Sequence, residues 1–581
     1  MKNNWKLFLS CALILVILQP LFGLPALKRK RQKYKVLILG AGSAGITAAK
    51  TLYDRGIRNF LVLEAQDYIG GRMKSVHFAG MKIEEGANWI HYVEEKDNPL
   101  NRLNKKYNLT GHLSNYSDFC MRDDFGNDIT NLKTFHLWEK VRDELFAEGE
   151  KRDESDSPPR DMPASVYLKM RGWRSDSPVK RTFSWFDIDF EYGGDETVTS
   201  LNNMGFPGED FFITDQRGYW TLFSDFYMRF REKILLNKPV TKIYYSDNSV
   251  TATTADGDEF IADYALSTFS SGVLGSGLVE FDPPFPKWKL EVIYRFRPVY
   301  FTKIFLKFPR DFWDDHEWIM HAGKKKGEFP TFYDLDRPGF FPGTGVLFTS
   351  VTGDESLRIE AQDNSKTMIE VMATLRKIYG ENIPNATDIH VSKWSQNPYV
   401  RAAWTDPVVG TSWGHYENMA GRLGNLFFAG ESTSSEWMGF VQGGYFTGQA
   451  KAKEIISCLK GKKCKPYRKA KKYVKAFSLE EWWEKVDGFM LLAVLNSCRR
   501  NSGVFCSGWR RMIKSFGAKM QASKAYELTR AVEHDTTATY HPPKEVCTGK
   551  NAIHDSRRIY IAKPIQRASL KFSGRVRALK A

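Results

Sequence analysis

Hydrophobic periodicity divides the chain into alternating strand and helix patterns. Residues 34–39 close on Val36-Leu37-Ile38-Leu39, an unbroken aliphatic run of the kind found in strands buried on both faces. The run stops at Gly40-Ala41-Gly42-Ser43-Ala44-Gly45. Ile46, Ala49 and Leu52 follow at helical spacing, and Arg55-Gly56 supplies the stop. A second apolar run, 60–63, ends at Glu64, so the segment opens a βαβ unit.

Residues 116–200 are polar and rich in Trp, Asp and Pro, with a helical pattern at 132–146. Strand patterns return at 240–245, 250–254 and 259–266, separated by Asp247-Asn248 and Asp256-Gly257, which predicts a β-meander. A further strand is expected at 299–308, an amphipathic helix at 366–378, an apolar strand at 425–429 and a helix rich in small residues at 439–459. A chain of 581 residues is too long for one core, so the pattern predicts an α/β protein of two domains.

The glycines of the first turn have distinct tasks. Gly40 permits the tight turn, Gly42 lets a pyrophosphate approach the backbone, and Gly45 lets helix and strand pack closely. The helix opens at Ser43 and Ala44, offering free N–H groups and a partial positive charge to phosphates. Glu64, 19 residues after Gly45, stands at a strand end, where a carboxylate accepts from ribose hydroxyls. A bare glycine triplet is weak evidence; strand, helix and acid together point to a dinucleotide. Gly70-Gly71-Arg72 then provides close backbone approach and a fixed fork of donors.

These motifs resemble the flavin-containing amine oxidases. The likeness is carried by Leu63-Glu64-Ala65, Ile69-Gly70-Gly71-Arg72, Gly86-Ala87-Asn88-Trp89 and Phe428-Ala429-Gly430-Glu431, then Gly439, Gly443, Gly444 and Gly448, and spans roughly residues 34–470. Thr302-Lys303-Ile304-Phe305-Leu306-Lys307-Phe308-Pro309, Asp189-Phe190-Glu191, Val198-Thr199-Ser200-Leu201 and the pair Cys458 and Cys464 are similar to the plant-type polyamine oxidases within that family. The resemblance implies a Rossmann-type FAD-binding domain assembled from 34–115, 205–275 and 390–460. It implies an α+β substrate-binding domain from 116–204 and 276–389. FAD contacts are implied at Gly40, Gly42, Ser43, Ala44, Gly45, Glu64, Ala65, Gly71, Arg72, Gly86, Ala87, Asn88, Trp89, Val240, Gly430, Glu431, Phe440 and Val441. The Glu431 segment lacks the cysteine that tethers flavin in monoamine oxidases, so the FAD is expected to be non-covalent.

Three residues are catalytic candidates. Lys303 shares one strand face with Phe301 and Phe305, where desolvation lowers a lysine pKa; a solvent-facing lysine is the other reading of the same pattern. The family lysine at this place reaches flavin N5 through a water. Glu191 matches an acidic position of the plant-type substrate tunnel. His91, in Asn88-Trp89-Ile90-His91, departs from the plant pattern, where a carboxylate often follows Asn-Trp-Val; animal polyamine oxidases typically carry histidine. Which carbon beside the secondary nitrogen is oxidised therefore stays open. Trp404 and Phe440 match an aromatic sandwich about the amine, with Phe301, Trp394 and Tyr399 in the same region.

The implied reaction oxidises spermine, spermidine or acetylated forms with O2, giving an aldehyde, a shorter amine and H2O2. A secreted L-amino-acid oxidase, another flavin amine oxidase and an inactive FAD-containing binding protein are the alternatives. There is no His/Cys cluster at zinc spacing, no Gly-x-Ser-x-Gly elbow and no Walker loop.

Charge and the chain ends refine this picture. Residues 1–26 read as a secretory signal peptide, with Lys2 and Lys6 before an apolar run; the rival, a membrane anchor, is weakened by Pro20 and the basic run 28–35. Sequons at Asn108, Asn115 and Asn385 suit a secreted glycoprotein. The net charge of +16 combines +8 in 1–35, +9 in 459–475 and +10 in 476–581 with −11 in the body 36–458. An acidic body steers cationic substrates, although ordinary solubility charge looks the same. The basic extension 461–581 reads as poorly ordered, with weak binding of anionic polysaccharide or lipid as its other reading and no specific nucleic acid. A monomer is expected.

Overall fold

The computed structural model describes residues 31–155, 158–461 and 464. The signal-peptide reading and the tail beyond residue 464 lie outside the described residues. Among the described residues no helix is long and apolar enough to cross a membrane.

The aliphatic run becomes the strand Arg31–Leu39, paired in parallel with Phe60–Leu63 on one side and Glu259–Ser267 on the other. These belong to an eight-stranded sheet that also holds Ile234–Leu235, Val240–Tyr245, Val250–Thr254, Glu280–Asp282 and Leu426–Phe428. Both faces are covered, which is why the central strands read as continuous apolar runs. Helices Ser43–Asp54 and Val441–Leu459 pack on one face through Ile46, Ala49, Ala452 and Ile455. Val292, Ile293 and Met419 cover the other.

The second sheet has six strands: Asp388–Val391, Phe301–Lys307, Val346–Thr352, Thr331–Asp334, Trp318–Ala322 and Phe119–Asp123. Helix Leu132–Asp153 contributes Trp138, Val141 and Leu145 to the core on one face, and helix Asn364–Tyr379 contributes Val371, Met372 and Leu375 to the core on the other.

Two boundaries differ from expectation. Glu280–Asp282 pairs with Val240–Tyr245, and Lys287–Arg295 buries Val292 and Ile293 against the eight-stranded sheet. The start of 276–389 thus belongs to the dinucleotide half; its three-residue strand precedes Pro283-Pro284 and is too short to show a period. Conversely, Asp388–Val391 pairs with Phe301–Lys307, so 390 and 391 belong to the six-stranded sheet.

The strand expected at 299–308 is two strands. Phe296–Val299 pairs with Trp404–Pro407, and after Tyr300 the chain enters the six-stranded sheet as Phe301–Lys307. Switching sheets at Tyr300 sets Phe301 beside Trp404, their rings 5.2 Å apart. The last helix begins at Val441, because Gly439 is left-handed (φ +84°) and Phe440 is extended. Cys458 and Cys464 form a disulfide.

Candidate active site

A cavity of about 760 Å³ is lined by residues from both sheets. Its dinucleotide side is made by Gly40, Gly42, Ser43, Ala44, Glu64, Ala65, Gly71, Arg72, Val240, Gly430, Glu431 and Val441. Gly45 does not line it. A side chain there would strike the Gly40 carbonyl, so this glycine supports the turn from beneath. Gly40 needs its left-handed φ of +110°.

Buried Glu64 accepts from the N–H of Ala41 at 2.7 Å and of Gln66 at 3.0 Å. This fastens the glycine turn to the carboxylate. Burial raises the Glu64 pKa, and those backbone donors oppose the rise. Arg72 donates to the Ala403 carbonyl and to Glu431 Oε1, both at 3.0 Å. Glu431 also accepts from Thr405 Oγ1 at 3.0 Å and from the Gly439 N–H at 3.1 Å. One carboxylate thus ties the 70–72 turn to the approach of the last helix. At the joint of the two glycine loops, a Cβ on Gly71 would lie 3.5 Å from the Gly42 Cα. Side-chain-free backbone, a helix N-terminus and a buried strand-end acid fit a dinucleotide.

Lys303 is 4% exposed. Its Nζ donates to the carbonyls of Glu84 at 3.2 Å and Gly86 at 2.7 Å, and to Asn88 Oδ1 at 3.3 Å. Burial pushes the ammonium down to about 7, with Glu84 and Glu85 opposing. The Trp89 ring lies 5.1 Å from Nζ, and Gly86, Ala87, Asn88 and Trp89 all line the cavity. Trp394 donates its indole N–H to the Glu85 carbonyl at 3.2 Å, so it lines the cavity beside the lysine's anchoring loop.

Phe301, Trp404 and Phe440 form aromatic walls, and half-exposed Tyr399 also lines the cavity. His91 meets Phe440 edge-on at 5.0 Å, and its Nδ1 lies 2.8 Å from Asp210 Oδ1. Burial works against charge on this ring, but Asp210 and then Glu191 outweigh it and hold its pKa above the usual value. Burial pushes Glu191 up to about 7, and Asp210 adds to the rise. Asp210, Tyr116, Tyr92 and Tyr192 escape sequence reasoning: Glu209-Asp210 reads as a loop end, and isolated tyrosines read as core.

A family model described as flavin containing amine oxidoreductase matches residues 43–456. The chain is 33% identical over 470 residues to polyamine oxidase 1 of Zea mays, covering 74% of this chain and 92% of that protein. It is 32% identical over 481 residues to polyamine oxidase 6 of Oryza sativa subsp. japonica, covering 76% and 94%. Solved structures of a putrescine oxidase share the fold at TM-score 0.61 and 16% identity, covering 74% of this chain and 100% of theirs. The chain belongs to the flavin-containing amine oxidase family.

Proposed function

We propose that this FAD-dependent amine oxidase acts on polyamines, oxidising the carbon next to a secondary amine of spermine, spermidine or their acetylated forms. In the balanced reaction the carbon–nitrogen unit loses two electrons to O2, giving H2O2. Water then splits the resulting C=N bond into an aldehyde and a shorter amine. Bound FAD supplies the hydride acceptor and the route to oxygen.

The observation that carries this reading is one cavity with aromatic walls at Phe301, Trp404 and Phe440, half-buried Glu191 in its lining and buried Asp210 behind His91. The aromatic faces keep water from the reacting nitrogen, which must be neutral to lose hydride from its neighbour. The acids favour the nitrogens that stay charged. Lys303, near its own proton-exchange point at neutral pH, holds or releases a proton beside the 86–89 segment.

An L-amino-acid oxidase needs an arginine for the substrate carboxylate. The arginine in this lining, Arg72, is engaged by Glu431 and Ala403. Peroxide release should therefore be highest with spermine, spermidine or N1-acetylspermine and low with monoamines and amino acids. Peroxide from none of them would favour the binding-protein reading. Acid precipitation should leave the yellow flavin in the supernatant, because no cysteine lines the cavity among the described residues. Flavin carried down with the protein would refute non-covalent binding.

We further propose secretion as a glycoprotein, on the strength of the apolar leader and three sequons. Recovery of activity only from cells, never from their medium, would contradict it.

A further inference from the structure

The short strands Trp89–Ile90 and Phe211–Ile213 are antiparallel, with Ile90 opposite Phe211. One step further, that register brings His91 opposite Asp210. The ladder continues through the Val93 N–H, which donates to the Glu209 carbonyl at 3.1 Å. Asp210 is 4% exposed and divides its two oxygens: Oδ1 lies 2.8 Å from His91 Nδ1, and Oδ2 accepts the Tyr116 hydroxyl at 2.7 Å. Its carbonyl accepts from the Ser114 N–H at 2.9 Å, and the His91 carbonyl accepts from Asn98 at 2.8 Å. Both partners are therefore held by backbone as well as by side chain. His91 and Tyr116 line the cavity, and Asp210 stands behind them.

We propose that Asp210 is a positioning residue of the amine site: it fixes His91 with Nδ1 as donor, so that Nε2 accepts an N–H of the substrate amine. The inference rests on the polyamine reading above. A carboxylate against Nδ1 requires a proton on that nitrogen, which leaves the Nε2 lone pair for the ligand. A polyamine arrives with its secondary nitrogen protonated. Nε2 takes one of its protons: the N–H electrons stay on the amine nitrogen, a new N–H forms on the imidazole, and Asp210 remains ionised. The neutral amine that results is the form whose neighbouring C–H can leave as hydride.

The groups facing the ring decide how firmly it holds that proton. Asp210 and Glu191 favour it, and Lys303 opposes it. The Tyr116 hydroxyl tempers Asp210, the Tyr92 ring packs on Phe440, and Phe440 and Trp89 present apolar rings.

The test is the pH profile of anaerobic flavin reduction by spermine in the FAD-loaded enzyme. Asp210→Asn keeps the shape and removes the charge. The acid limb of the second-order constant for flavin reduction (rate constant over Kd for spermine) should move down by about one pH unit, as expected for loss of an adjacent opposite charge. Tyr116→Phe removes the hydroxyl that tempers Asp210, so the limb should move up. These opposite directions separate positioning from a merely structural role, and Tyr116→Phe serves alone if Asp210→Asn does not fold. Limbs that coincide with wild type in FAD-loaded variants that turn over would overturn this inference only. A wild-type enzyme reduced by no amine would overturn both it and the polyamine reading.

Discussion

Replacing Lys303 by methionine should slow amine-driven flavin reduction by about 10²- to 10⁴-fold, the range for losing a positioned proton-handling group, while FAD stays bound. Methionine matches the length of the stem and stays beside the Trp89 and Phe348 rings that lie 5.1 and 5.9 Å from Nζ. It cannot donate to the Glu84 and Gly86 carbonyls or to Asn88 Oδ1. Leaving buried acceptors unpaired costs about 1–3 kcal/mol each, so the variant should also be less stable. The pH dependence separates the two effects. In the folded protein the lysine is pushed down to about 7, whereas in the unfolded chain it returns to its ordinary value of about 10.4. Between those values the unfolded chain holds the proton that the folded one has shed, so this group makes stability rise with pH across that window. Methionine removes that contribution. Stopped-flow reduction and denaturant titrations at pH 7 and 9 check both arms; an unchanged reduction rate would remove the proposed role of Lys303.

Gly45→Ala should yield protein that folds poorly or purifies colourless even after incubation with FAD. The added methyl would enter the space of the Gly40 carbonyl and lie 3.3 Å from the Ile38 side chain. Relief requires lifting helix Ser43–Asp54 from strand Arg31–Leu39, or opening the turn that the Ala41 N–H fastens to Glu64. Either movement displaces the N–H groups at Ser43 and Ala44. Overpacking alone costs about 1–3 kcal/mol, and the binding surface is distorted in addition. Flavin absorbance at one equivalent per chain would contradict this reading of the third glycine.

The parts legible in the sequence are those whose signal is local. The unit 34–64 carries its own strands, helix and glycines, whereas Lys303, on a period-two face between phenylalanines, reads equally as a solvent-facing lysine until the family resemblance singles it out. Phe301 and Trp404 are legible only through resemblance; what sets them together is the change of sheet at Tyr300, which hydrophobic pattern does not encode. Asp210 is invisible for a related reason. It reaches His91 through the register of a two-residue strand, and two residues show no period. Glu280–Asp282 is hidden in the same way.

The Arg72–Glu431 ion pair joins residues 359 apart in the chain. During synthesis, therefore, the glycine turn and Glu64 leave the ribosome long before Glu431, and before the strand Leu426–Phe428 and the helix Val441–Leu459 that complete the same half. The cofactor cannot template the early stages of folding in its final grip. Its capture belongs to the end of maturation, and a nascent chain stalled before Glu431 would present an open crevice to whatever chaperones attend it.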